Sequence, residues 1–222
     1  MAEAVDDLRA LERRDAELAA SAQRLRELDA AVAAVRGRAE EIDAFFAAYP
    51  ETENRLREAM LGAETELAER RLELEEAKAA VVDATNEDVR EAAERLVRRV
   101  SDHVSVAEGR RARTADALEE LEQQAAALPD ELPQLAARAE NVTHELPGIT
   151  TPEGAPRALI EWAGHTHASL FVATGQIDLQ RERVIREANE LATMLLGEPT
   201  YGSTPAQALA RVTSDERRRQ GR

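Results

Sequence analysis

Residues 51–84 read ETENRLREAMLGAETELAERRLELEEAKAAVVDA. Alternating steps of four and three pick out Leu56, Met60, Ala63, Leu67, Arg70, Leu74, Ala77, Val81 and Ala84, and only Arg70 is not apolar. A row with that spacing is one face of a helix laid along a partner helix, the heptad pattern of a coiled coil.

The same pattern extends in both directions. Upstream, Leu8, Leu11, Leu18, Ala22 and Leu25 form a row with Asp15 as its one polar intruder, and Leu28, Val32, Val35, Ala39, Ile42 and Phe46 continue it. The step from Leu25 to Leu28 is three where four is due, which overwinds a coiled coil locally. Downstream, Val89, Ala93, Leu96, Val100, Val104, Ala107, Arg111, Thr114, Leu118, Leu121, Ala125 and Leu128 form a further row. Two successive four-steps from Leu96 to Val104 read as a stutter. A fourth row runs Ile160, Ala163, His167, Leu170, Thr174, Ile177, Arg181, Val184, Ala188, Leu191 and Leu195. Within it, residues 170–174 between Gly164 and Gly175 admit a short strand, but the periodicity on both sides favours helix.

Gly and Pro set the expected boundaries. Tyr49–Pro50 predicts the end of the first helix, because the residue before a proline disfavours helical backbone. Residues 83–88, DATNED, offer an N-cap followed by acids, a helix-start signature; one helix or two over 51–128 are both open. Residues 129–156 hold Pro129, Pro133, Pro147, Gly148, Pro152, Gly154 and Pro156 and read as a linker with room for a short helix at 130–145. Gly197 and Pro199 end the fourth long helix. Thr204, Pro205 and Gln207 form a capping box that opens a short helix to about Arg217.

The predicted fold is therefore all-α: an elongated antiparallel helical bundle or coiled coil with long helices at about 3–48, 51–84, 87–127 and 157–196 and a short C-terminal helix. The first three helices, of about 46, 34 and 40 residues, span roughly 50–70 Å at ~1.5 Å per residue. The regions are a coiled-coil body at 1–128, the linker at 129–156, a helix at 157–198 that packs on the body or on a partner, and a basic tail at 199–222. In outline the body resembles a spectrin-type repeat.

Composition agrees with long helices. Of 222 residues, 44 are alanine, the best helix former, and only 3% are aromatic. The chain has 44 Asp and Glu against 29 Lys and Arg, a net charge of −15, and no cysteine. Zinc–thiolate sites, disulfide scaffolds and cysteine nucleophiles are excluded. A duplex-binding body is disfavoured, since phosphate neutralisation needs a basic face. No apolar run reaches the ~20 residues of a membrane span, and the acidic start has no signal-peptide pattern, so a cytoplasmic protein is expected.

Candidate functional residues are few. Phe45, Phe46 and Tyr49 hold half of the six aromatics. If Pro50 marks a turn, they form a hydrophobic tip that docks a partner or seals the bundle. Trp162 and Phe171 lie on different faces of the fourth helix, where each can anchor it. Glu161 and His165, four apart, share a helical face and are metal-ligand candidates, two where a site needs three or four, with His144 and Glu145 able to approach from the preceding segment; His167 is expected to be buried beside them. Arg217, Arg218 and Arg219 lie in the last twelve residues, which with Arg211 and Arg222 carry +3, a surface for an acidic partner or nucleic acid. Nucleotide-binding, zinc-protease and serine-hydrolase motifs are absent. No catalytic residue and no cofactor is expected.

The expected function is a non-enzymatic scaffold or adaptor that acts through protein partners and self-association, without membrane contact. The texture is also similar to the coiled-coil arms of SMC-type chromosome-organising ATPases. That likeness implies an arm or accessory segment of a DNA-organising complex, with direct nucleic-acid contact only through the basic tail. A helical metal-binding protein using Glu161 and His165 is the third alternative.

Overall fold

The computed structural model describes residues 2–220. They form four helices, α1 (Ala2–Val82), α2 (Glu87–His144), α3 (Pro156–Leu196) and α4 (Pro205–Gln220), with no strand among the described residues. The chain is all-α and its helices pack as bundles, as expected. Two compact units are present: Glu40–Gln134, and Met1–Ala39 together with Leu135–Arg222.

The unit Glu40–Gln134 is an antiparallel hairpin of α1 and α2. Its seam buries Ala63, Leu67 and Ala77 of α1 against Ala93, Val100, Val104 and Ala107 of α2. Leu67, Val104 and Ala107 form one cluster with Leu74 beside them. Small side chains let two helices approach closely but bury little area each, so the seam must be long to be stable. Ion pairs flank it and fix the register: Arg71 with Glu108 at 2.8 Å, Arg111 with Glu64 at 3.3 Å, and Arg110 with Glu66. Apart from the half-buried Glu66 their side chains are exposed, so each pair adds at most about 1 kcal/mol. Between the helices, Asn86 caps α2 by accepting the Val89 N–H on Oδ1 at 3.0 Å, with Glu87 and Asp88 in the first turn. Residues 51–128 are thus two helices, joined at 83–86.

The seam differs in detail from the expected row. Leu96 is 44% exposed, whereas Val97 is half-buried. The true row is Ala93, Val97, Val100, Val104, Ala107, spaced four-three-four-three, and the expected stutter does not exist.

Three prolines expected to end helices lie inside them. Pro50 is within α1, and Pro129 and Pro133 are within α2. The helices expected at 3–48 and 51–84 are one helix, and residues 129–144 extend α2, which leaves only 145–155 as linker. Each proline removes an N–H and leaves the carbonyl four residues earlier without its donor. All three prolines are exposed, where water reaches that side of the helix. The heptad phase is also unchanged across them: Ile42, Phe46, Tyr49, Glu53, Leu56 and Met60 step four-three-four-three-four through Pro50.

In the other unit the start of α1, α3 and α4 share a core. Val5 and Leu8 of α1 pack with Ala188 and Ala192 of α3 and with Ala208 and Val212 of α4. Residues 170–174 are helical. Gly197, at φ +74°, caps α3 by donating its N–H to the Thr193 carbonyl at 2.9 Å. A buried polar knot ties the α3–α4 corner: Asn189 Nδ2 donates to the Ser203 carbonyl at 2.8 Å and the Thr200 hydroxyl donates to the Asn189 carbonyl at 2.7 Å. The expected capping box is present. The Thr204 N–H donates to Gln207 Oε1 at 3.0 Å and the Gln207 N–H to Thr204 Oγ1 at 3.3 Å. Among the described residues, no helix is long and apolar enough to cross a membrane.

Pro50→Ala restores one backbone hydrogen bond in a helix that is already continuous. Urea unfolding should show a stabilisation of roughly 1–3 kcal/mol, set by the helix-interior penalty of proline. A lowered midpoint would mean that the fold needs a break at this position.

Candidate interaction surface

The polar residues that interrupt the apolar rows pair with one another. Asp15, the intruder on α1, accepts a hydrogen bond from Arg181 Nε at 3.0 Å, and Arg181 is the charged residue in the α3 row. Their side chains are 15% and 30% exposed, so this pair is largely desolvated. His167 is exposed rather than buried, and its Nδ1–H donates to Asp29 Oδ1 at 2.6 Å. Both pairs join α1 to α3 and fix their antiparallel register. Arg24 reaches the end of α2: Nε donates to Glu145 Oε2 at 2.8 Å and Nη1 to Glu27 Oε2 at 3.2 Å. The bond to Glu145, then that to Glu27, holds the guanidinium pKa above its ordinary value and keeps it charged.

The aromatic residues take different roles. Trp162 is 6% exposed, and its Nε1–H donates to Thr143 Oγ1 at 3.2 Å. The Thr143 hydroxyl in turn donates to the Ala139 carbonyl at 2.9 Å, so the indole locks the start of α3 onto the end of α2. Phe45 meets Phe46 edge-on at 5.6 Å between ring centroids and Tyr49 at 5.9 Å. This trio lies midway along α1, not at a helix end, which corrects the expected tip. Phe45 and Tyr49 are half-buried and Phe46 is exposed. Phe171 stands in solvent at 75% exposure.

The polar candidates do not converge. Glu161 and His165 are both exposed, and among the described residues no three His, Asp or Glu side chains lie close enough to hold a metal ion. Arg217 and Arg218 are exposed near the end of α4, a helix terminus where positive charge is favourable. The side chain of Arg219 and the whole of Arg222 lie outside the described residues.

The surface also carries apolar residues that reading the inward rows did not single out. On α1, Leu61, Thr65, Ala68, Leu72, Glu75, Ala79 and Val82 are all exposed and repeat with the same four-three spacing as the seam. Leu61 is 67% exposed, Leu72 63% and Val82 84%. On α3, Val172 and Leu179 join Phe171 as exposed apolar residues. The sequence holds both signals, one as a second heptad phase in 61–82 and one as 162–177, sixteen residues with no Asp, Glu, Lys or Arg.

Comparison with protein-family models, curated proteins and solved structures gives no match.

The Asp15–Arg181 pair makes a testable energetic claim. Arg181→Met leaves a poorly solvated carboxylate unpaired and should destabilise by roughly 1–3 kcal/mol, while Asp15→Leu with Arg181→Met should recover most of that loss. A double-mutant cycle by urea unfolding checks it; additive effects would show that the two residues are uncoupled.

Proposed function

We propose that this chain is a non-enzymatic, cytoplasmic coiled-coil scaffold that acts by helix–helix contact with protein partners, including itself. The observation that carries this reading is the outward heptad row on α1. Large apolar residues at Leu61, Leu72 and Val82 cost free energy in water, and contiguous exposed apolar surface marks contact sites. They stand eleven and ten residues apart in an outward row whose four-three spacing, filled in by Thr65, Ala68, Glu75 and Ala79, fits a helix as the thing contacted. The functional unit is then the long helix itself, with an inner row that builds the hairpin and an outer row that meets another molecule. Sedimentation velocity across a concentration series tests it. The expected result is a mass above the 24.4 kDa of one chain at micromolar concentration and a fall toward it on dilution. A single 24.4 kDa species throughout would remove self-association from this reading.

A second reading, an arm of an SMC-like DNA-organising complex, draws on the antiparallel hairpin of Glu40–Gln134. Its direct DNA contact would fall to the basic end of α4, against the −15 of the whole chain. Salt-sensitive retention of DNA that is lost on deleting residues 211–222 supports this reading, and no retention at low salt removes direct contact.

A further inference from the structure

The outward face of α3 is a third heptad row, and its pattern is self-complementary. Its centre is Ala168, Val172, Gly175 and Leu179, spaced four-three-four and all exposed. The same row runs on to His165 and Glu161 at one end and to Glu182 and Arg186 at the other, also exposed. It lies opposite the buried residues Ala163, Leu170, Val184 and Ala188 that hold α3 in its unit. Among the described residues nothing covers the centre, since Val172 is 58% and Leu179 60% exposed.

We propose that two copies of this chain associate through this face, α3 against α3 in antiparallel orientation about a two-fold axis between Val172 and Gly175. This inference rests on the self-association proposed above and names its surface. Two-fold symmetry makes residue i face residue j and j face i, so one register must satisfy both halves. In the register that sets Val172 against Gly175 of the second copy, Ala168 meets Leu179, a small residue opposite a large one at both central layers. The next layers outward set His165 against Glu182 and Glu161 against Arg186. Each acid on the row thus meets a base or an imidazole, and no acid meets an acid.

Charge argues for a second copy here rather than elsewhere. Two chains of net charge −15 repel, and the repulsion is least where the surface itself is uncharged. The segment 162–177 is that surface: sixteen residues without a formal charge in a chain one-third charged. The paired row from 161 to 186 is roughly 38 Å long at ~1.5 Å per residue, enough for eight layers, four distinct pairings each made twice, with charged ends. Phe171 flanks the row at 75% exposure and would be covered by the neighbouring helix. Glu161 and His165, too few for a metal site, find their use at the ends of this row.

Charge reversal in the full chain, read by sedimentation equilibrium, tests the register. Glu161→Arg sets arginine against Arg186, and Arg186→Glu sets glutamate against Glu161, each twice per dimer. Each single change should weaken association about tenfold or more, and the double reversal should restore it, because exposed pairs add modestly and like charges repel. Val172→Glu with Leu179→Glu should leave the helical circular dichroism intact and yield monomer. Association unchanged by all of these variants would overturn this surface while leaving self-association standing. A wild-type chain that stays monomeric at every concentration would overturn both. Single reversals that weaken association without rescue by the double would overturn the antiparallel register.

Discussion

A narrow apolar seam holds the hairpin, and its unbroken four-three phase constrains everything built on it. Because so many seam positions are alanine, each layer contributes little, and stability comes from the number of layers in register. Losing phase anywhere would rotate the remaining layers out of contact. The chain therefore tolerates proline inside its long helices sooner than a change of phase. Pro50, Pro129 and Pro133 sit on exposed sides of helices whose inward residues keep their spacing.

Register, not only affinity, is what the polar residues in these rows provide. Asp15 with Arg181 and Asp29 with His167 join α1 to α3 at two levels. A slipped pairing would strand Asp15 beside apolar neighbours, which is the attested use of a buried polar pair in a coiled coil. In the hairpin, Arg111 stands exposed beside the seam and reaches Glu64, so the charged residue that interrupts the apolar row is again matched by a partner on the facing helix. Asn189 does the same work at the α3–α4 corner, where a helix must turn and its neighbours' backbone groups need partners.

Much of this was legible in the residues. The rows Leu28 to Ile42 and Ala63 to Ala77 read as inward faces, and their Leu, Val and Ala positions are largely buried. The N-cap at Asn86 and the capping box at Thr204 were legible because local hydrogen-bond chemistry specifies them. The helix ends expected at Pro50 and Pro129 do not exist, because continuity of phase, from Ile42 to Met60 around Pro50, overrides the local proline signal. Leu96 and Val97 are adjacent apolar residues, and only Val97 keeps the four-three spacing of the seam. His167 follows the row by number but lies at its edge, where Asp29 draws it outward. Pairs such as Asp15 and Arg181, 166 residues apart, are invisible until the helices are folded together. Of the candidate sites, the sequence offered Phe45 to Tyr49 and Phe171, while the outward rows on α1 and α3 needed knowledge of which face was already taken.

The central claim is that phase continuity carries α1 straight through Pro50. The chain has no cysteine, so spin labels go only where they are placed. Pulsed dipolar spectroscopy on Ala44→Cys with Thr65→Cys, both exposed positions within one unit, reads the claim directly. A continuous helix predicts a single distance near 31 Å, from ~1.5 Å per residue over the intervening turns. A distribution centred near roughly 15 Å would mean that the chain folds back at Pro50 and would contradict the account.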